Sequence, residues 1–194
     1  MMRCRILILI FMTTFFSACV DVNLKSELPN INYYKLDTLV AESKICDAYN
    51  LIGLVGIEVP SKYQNAKILY SENNKVSELS GVNFANDIVN EVESMLIKEF
   101  HKHCLKIINP PFSGAKIESY LKLKLLDFEI QKDTMEAVMS FSYQITSRGQ
   151  IHQSGIIAQK QLLDSFDEES AIKAMQDVSI SSIKELANQL IPKY

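Results

Sequence analysis

The chain has 194 residues, a formal net charge of −3 and 47% hydrophobic residues, which suits one domain with a substantial core. Its 20 Lys and Arg residues are spread along the sequence and outnumbered by 23 Asp and Glu. This distribution lacks the basic patch typical of nucleic-acid-binding proteins. It also lacks the basic cluster by which a protein binds anionic lipid through charge.

Residues 1–18 have the pattern of a secretory signal. Arg3 and Arg5 precede an apolar block at residues 6–16, which is too short to cross a bilayer, since a membrane-spanning helix needs about 20 residues. The block leads into Phe16-Ser17-Ala18-Cys19, which resembles the lipobox of bacterial lipoprotein precursors.

A lipobox implies that the chain is cut before Cys19 and that lipid is attached to the cysteine sulfur. We therefore expect a lipoprotein signal peptide at residues 1–18, a lipidated cysteine and flexible tether at residues 19–30, and a single domain at residues 31–194. Several acyl chains are expected, because one chain alone gives only marginal membrane binding. The alternative is an ordinary signal peptide that ends in an incidental cysteine.

The first part of the domain has strand patterns. Alternation at residues 31–37 and a mostly apolar run at residues 51–59 predict two strands, with a loop at residues 38–50 between them. Two short strands are predicted on either side of the Asn-rich turn at residues 71–75.

A long amphipathic helix is predicted next. Asn83 is its expected N-cap, and apolar residues then recur at helical spacing as far as Phe100. The helix is expected to end near residues 101–103, where basic side chains complement the helix dipole.

The second half of the domain predicts three antiparallel strands and a second helix. Alternation begins at Ile117, shifts phase at Leu126, as it does at a β-bulge, and continues through residues 135–163. A capping box at residues 165–168 begins the helix, and Pro192 ends it. We expect an α+β fold, in which an antiparallel sheet has a meander in its C-terminal half and two long helices pack on one face.

Two cysteines remain once Cys4 has left with the signal peptide and Cys19 carries lipid. In an exported chain, Cys46 and Cys104 are candidates for a disulfide, which forms and persists in oxidising compartments. The alternative is two buried free thiols, since free cysteine is among the most buried residue types.

Catalytic and metal-binding motifs are missing from the sequence. His101, His103 and Cys104 are the one cluster of metal-ligand types, but zinc usually takes four ligands and no second group stands at a suitable spacing. We expect a basic helix end there and no metal or cofactor. His152 is expected at the surface, and the chain is expected not to be an enzyme.

From Tyr33 onward the sequence resembles the ABC-type transport auxiliary lipoproteins, which accompany MCE-type lipid transport systems. The order and spacing of several short stretches carry the resemblance, together with the lipobox upstream. These stretches are Tyr33-Tyr34-Lys35-Leu36, Ile57-Glu58-Val59-Pro60, Tyr63, Ile68-Leu69-Tyr70, the helix from Asn83, and residues 120–128. One departure is Asn83-Phe84, where members of the family often have a tryptophan.

The resemblance implies a periplasmic lipoprotein that works with an MCE protein and its ABC permease and ATPase, and that binds no nucleotide itself. It further implies contact with phospholipid and assembly into a homo-oligomer. An outer-membrane anchor is implied, because Val20 stands where enteric bacteria place the aspartate that retains lipoproteins in the inner membrane.

Two further expectations concern the partner surface and the competing function. Phe112, in the Pro-Pro loop, or an edge of the meander is the expected contact with a partner protein or acyl chain. The competing function is a structural lipoprotein of another envelope-assembly machine, one that places lipopolysaccharide or activates wall synthases.

Overall fold

The structure is a computed structural model that describes residues 30–112, 114 and 116–190. The predicted signal peptide, Cys19, nearly all of the predicted tether, and Pro192 lie outside the described residues. No helix within the described ranges is both long enough and apolar enough to span a membrane.

Eight strands and two long helices make up the described part of the chain. Their bounds are β1 (Asn32–Tyr34), β2 (Asn50–Glu58), β3 (Lys67–Glu72), β4 (Lys75–Phe84), α1 (Ile88–Lys102), β5 (Leu105–Ile108), β6 (Ser119–Gln131), β7 (Glu136–Ser147), β8 (Gln150–Leu162) and α2 (Glu168–Leu190). A short 3-10 turn at Ser61–Tyr63 joins β2 to β3.

All eight strands belong to one sheet, and β6 lies at its centre. On one side of β6, β7 and β8 follow as an antiparallel meander. On the other side, β2 pairs with the first half of β6 and β3 with its last two residues, both in parallel. The predicted α+β fold with a C-terminal meander and two helices is confirmed.

The sheet is mixed, whereas an antiparallel sheet was predicted. Strand β5 also pairs with β2 in parallel, and β1 with β4 in parallel. Parallel neighbours need a long crossover connection, and α1 lies in the segment that connects β2 to β5. Local alternation is the same in parallel and antiparallel strands, so it does not distinguish them.

The predicted phase shift at Leu126 is a β-bulge. The register between β6 and β7 slips between Leu125 and Asp127, so Leu126 is the extra residue. The Asn-rich turn is also where it was predicted, with Asn73 and Asn74 at φ 49° and 63°. Positive φ at both central residues is typical of a two-residue hairpin turn that matches strand twist.

The core lies between the sheet and the two helices, which pack against one another and against the sheet. Apolar side chains alternate along β6 and β7 and recur at helical spacing along α1 and α2. Fully buried members are Leu121, Leu123, Ile130, Met139, Met95, Leu96, Phe100, Met175, Ile183 and Leu186.

The predicted N-cap of the first helix is wrong. Helix α1 begins after Asp87, whose carboxylate accepts a hydrogen bond from the Asn90 N–H at 2.9 Å. Asn83 belongs to β4 and pairs with Tyr33 of β1 and Lys67 of β3. Pairing on both sides keeps this segment extended, and it outweighs the capping propensity of an asparagine.

The second helix likewise begins later than predicted. The Asp167 carboxylate, rather than the Ser165 hydroxyl, accepts the Ser170 N–H at 2.9 Å. The Ser165 hydroxyl donates to the same carboxylate. These two hydrogen bonds, the one from Ser165 first, lower the pKa of Asp167.

Candidate interaction surface

The structure joins Cys46 and Cys104 by a disulfide, with 5.8 Å between their Cα atoms. Cys104 has φ 56° directly after α1, and Cys46 lies in the loop before β2. The bond therefore ties that loop to the end of α1. The arrangement is a bridge rather than two separate buried thiols.

The predicted cluster around the disulfide holds no metal site. Cys104 is engaged in the disulfide, and the His101 ring stacks on Tyr49 at 5.6 Å between ring centroids. His103 lies 3.6 Å from a carboxylate oxygen of Glu99. Throughout the described part of the chain, no three His, Cys, Asp or Glu side chains converge as metal ligands would.

Phe112 is half-buried and packs within the protein. Its ring meets Tyr120 edge-on at 5.4 Å between centroids. Both rings lie over Gly53, where a Cβ atom would come within 2.7 Å of Tyr120 and 3.2 Å of Phe112. Phe112 thus has a packing role, and its contact with a partner stays a prediction.

The longest open edge of the sheet is β8. Among the described strands it pairs with β7 alone, over the full length from Gln150 to Leu162. The strands at the other ends of the sheet, β1 and β5, have only 3 and 4 residues. An edge strand presents a row of backbone N–H and C=O groups that another strand can pair with.

Strand β8 carries few of the features that usually block such an edge. It contains no Pro, Asp or Glu, and its one Lys, Lys160, is paired with Glu136 at 2.7 Å. Its exposed side chains include Ile151, Ile156 and Leu162, each about two-thirds accessible to solvent. Proteins normally protect edges with charge, Pro or short length, so β8 is the candidate site for a partner.

A shallow groove of about 460 Å³ adjoins this edge on the outer face of the meander. Polar and apolar side chains both line it. The side chains around it include Lys122, Lys124, Ser142, Gln144, Ser154 and Ile156.

Two of the three charged side chains that line the groove are paired with each other. Glu58 lies 2.6 Å from Lys122, and the hydrogen bond from this lysine lowers the pKa of Glu58. The hydrogen bond from Lys160 likewise lowers the pKa of Glu136. The surface therefore offers backbone pairing and apolar contact without a strong electrostatic field.

A larger cleft of about 990 Å³ opens where β2, β6 and β8 begin. Lys116, Glu118 and His152 line it, and all three are solvent-exposed.

The sequence did not identify the β8 edge specifically. Strands β6, β7 and β8 all alternate, and alternation does not tell which of them lacks a second neighbour. The nearest signal was the scarcity of charge in Gln150–Leu162. The sequence analysis predicted that Phe112 or an edge of the meander contacts a partner. That prediction is compatible with the β8 edge but did not specify this strand.

No family model matches the chain, and no curated protein matches it. Among solved structures it is similar to a protein described only as uncharacterized, with 13% identity and a TM-score of 0.67, over 83% of this chain and 99% of that one. It is also similar to protein XCC0632 from Xanthomonas campestris, of family DUF330, with 10% identity and a TM-score of 0.65, over 84% of this chain and 92% of that one. At these identities the similarity establishes the fold alone.

Lipoproteins are also among the structural neighbours. One is the lipoprotein GNA1162 from Neisseria meningitidis, with 6% identity and a TM-score of 0.39, over 71% of this chain and 98% of that one. A similarity this low supports no inference about function.

Proposed function

We propose that this chain is a lipid-anchored lipoprotein of the bacterial envelope that serves as a non-catalytic adaptor in an MCE-type lipid transport system. The observation that carries the proposal is the open edge of β8, a surface suited to pairing with another protein.

Features at two levels support an exported, anchored protein. In the sequence, Phe16-Ser17-Ala18-Cys19 resembles a lipobox, and Val20 favours an outer-membrane anchor. In the structure, the disulfide between Cys46 and Cys104 suits an oxidising compartment such as the periplasm.

The resemblance to the ABC-type transport auxiliary lipoproteins supports the partner, an MCE protein with its permease and ATPase. The residues that carry this resemblance are mainly structural, since Leu36, Tyr63 and Ile68 are buried. They specify the fold of such an adaptor, and Glu58, Lys122 and Lys124 among the resembling stretches line the groove beside β8.

Affinity purification of the acylated protein from membranes tests the proposal. We expect the wild type to co-purify an MCE protein and phospholipid. Ile156→Lys adds a charge to the β8 edge and should reduce the captured MCE protein about tenfold, equivalent to about 1.4 kcal/mol of binding free energy. Val76→Lys is the matched control, because Val76 is also exposed but lies on β4.

Two results would contradict the proposal. One is capture of a lipopolysaccharide-placing machine or a wall synthase in place of an MCE protein, which would favour the competing function. The other is full retention of the MCE protein by Ile156→Lys, which would remove the β8 edge as the docking surface.

A further inference from the structure

Residues 37–46 form an irregular segment that lies along helix α1 and is called the strap below. The Asp37 carboxylate pairs with Lys98 at 2.6 Å, and the same lysine donates to the Leu39 carbonyl at 2.9 Å. At the other end, Lys44 donates to the Lys102 carbonyl at 2.6 Å. The disulfide at Cys46 then fixes the strap to the end of α1.

The strap holds two aliphatic side chains out into solvent. Ile45 is 93% exposed and Val40 is 77% exposed, while Leu39 packs against the core. Single exposed aliphatics are common on protein surfaces. Here, however, the backbone on either side of Val40 and Ile45 is fixed by ion pairs, hydrogen bonds and the disulfide. The fold itself therefore keeps these two side chains exposed.

Two of the three charged side chains of the strap are paired with lysines of α1. Asp37 is paired with Lys98, and Glu42 with Lys102 at 3.2 Å. Lys44 is hydrogen-bonded to the end of α1. Paired charges cost less to bring to an apolar boundary than free ones do, which favours placing the strap at such a boundary, with Lys44 at its polar side.

The proposed anchor brings such an environment within reach. Twelve residues separate Cys19 from β1 at Asn32, and a chain of that length reaches about 40 Å at most. The strap begins at Asp37, shortly after β1, and runs beside about 12 Å of α1, from Ser94 to Lys102. The tether is therefore long enough for the strap to touch the bilayer.

We propose that Val40 and Ile45 insert into the interfacial region of the membrane and act as a second contact that orients the domain beside its lipid anchor. This inference rests on the lipid anchor of the proposed function. Burial of apolar side chains at the acyl boundary adds to the binding that covalent lipid provides. The ligand is a phospholipid surface, recognised by apolar contact rather than by charge.

The test uses the absence of tryptophan from the chain. The acylated protein carrying Ile45→Trp is reconstituted in vesicles of phosphatidylethanolamine and phosphatidylcholine, with brominated acyl chains on the phosphatidylcholine as quencher. We expect a blue-shifted emission and a loss of about half its intensity relative to unbrominated vesicles. Val40→Trp should behave in the same way.

Ile156→Trp is the matched control, since Ile156 is an exposed isoleucine on β8, and its emission should be unquenched. If the proteins float with the vesicles and Ile45→Trp is quenched no more than Ile156→Trp, the strap does not insert and only this inference fails. If the acylated preparation does not float with vesicles at all, the lipid anchor itself fails, and the inference fails with it.

Discussion

At the scale of single residues, Tyr63 stabilises the point where β6 changes neighbours. Strand β2 pairs with β6 as far as Lys124, and β3 pairs with it from Ile130. Between them the buried Tyr63 ring packs edge-on against Phe128, and its hydroxyl donates to Glu129 at 3.0 Å. Tyr63 thus contacts β6 in the stretch where neither β2 nor β3 pairs with it.

Tyr63→Phe should destabilise the fold. The substitution leaves the Glu129 carboxylate, 9% exposed, with Lys62 as its remaining side-chain partner. A hydrogen bond to a charged group contributes about 1.5–3 kcal/mol, and Tyr63→Phe should lose about that much of the free energy of unfolding. Urea unfolding at neutral pH measures the loss, and an unchanged midpoint would contradict the assigned role of the hydroxyl.

The same residue predicts a dependence on alkaline pH. Burial is the largest cause of the raised pKa of Tyr63 in the folded protein. The folded state therefore holds the phenolic proton more tightly than the unfolded state, and this stabilisation is lost as pH rises above about 10. Urea midpoints should fall less steeply above that pH in Tyr63→Phe than in the wild type; equal slopes would contradict the prediction.

At the scale of elements, the start of α1 depends on Asp87. Asp87→Ala removes the side chain that accepts the Asn90 N–H and should cost about 1 kcal/mol of unfolding free energy. Asp87→Asn keeps a capping oxygen and is the control, with a much smaller loss. Thermal unfolding separates the two variants, and equal losses would show that charge rather than capping matters.

Element boundaries show how far sequence reasoning extends. The bulge at Leu126 was predictable, because an extra residue reverses which side chains face the core. The N-cap at Asp87 was not, because Val82 and Phe84 fit either a strand or a helix, and pairing with β1 and β3 decides between them.

The candidate site was predictable only in part, for the same reason. The scarcity of charge in β8 is local and visible in the sequence, whereas its position at an edge depends on the order of eight strands. Parallel pairing of β2 with β6 joins residues more than 60 positions apart, such as Ile52 and Ser119. Patterns within a short window contain no information about such pairs.

At the scale of the whole molecule, the disulfide closes a loop with a sequence separation of 58 residues. Chain entropy predicts that a loop of this length contributes about 4 kcal/mol. The double variant Cys46→Ala/Cys104→Ala should lose about that much in urea unfolding, and added reductant should destabilise the wild type but not the double variant. A double variant as stable as the wild type would contradict this contribution.

The central claim is that the β8 edge docks an MCE protein, and site-specific photo-crosslinking in living cells tests it most directly. A photoreactive side chain replaces Ile156 on the exposed edge or, as control, Val76 on β4. The account predicts a crosslinked adduct with an MCE protein from position 156 and none from position 76. Adducts from position 156 with other envelope proteins only, or no adduct from it, would contradict the account.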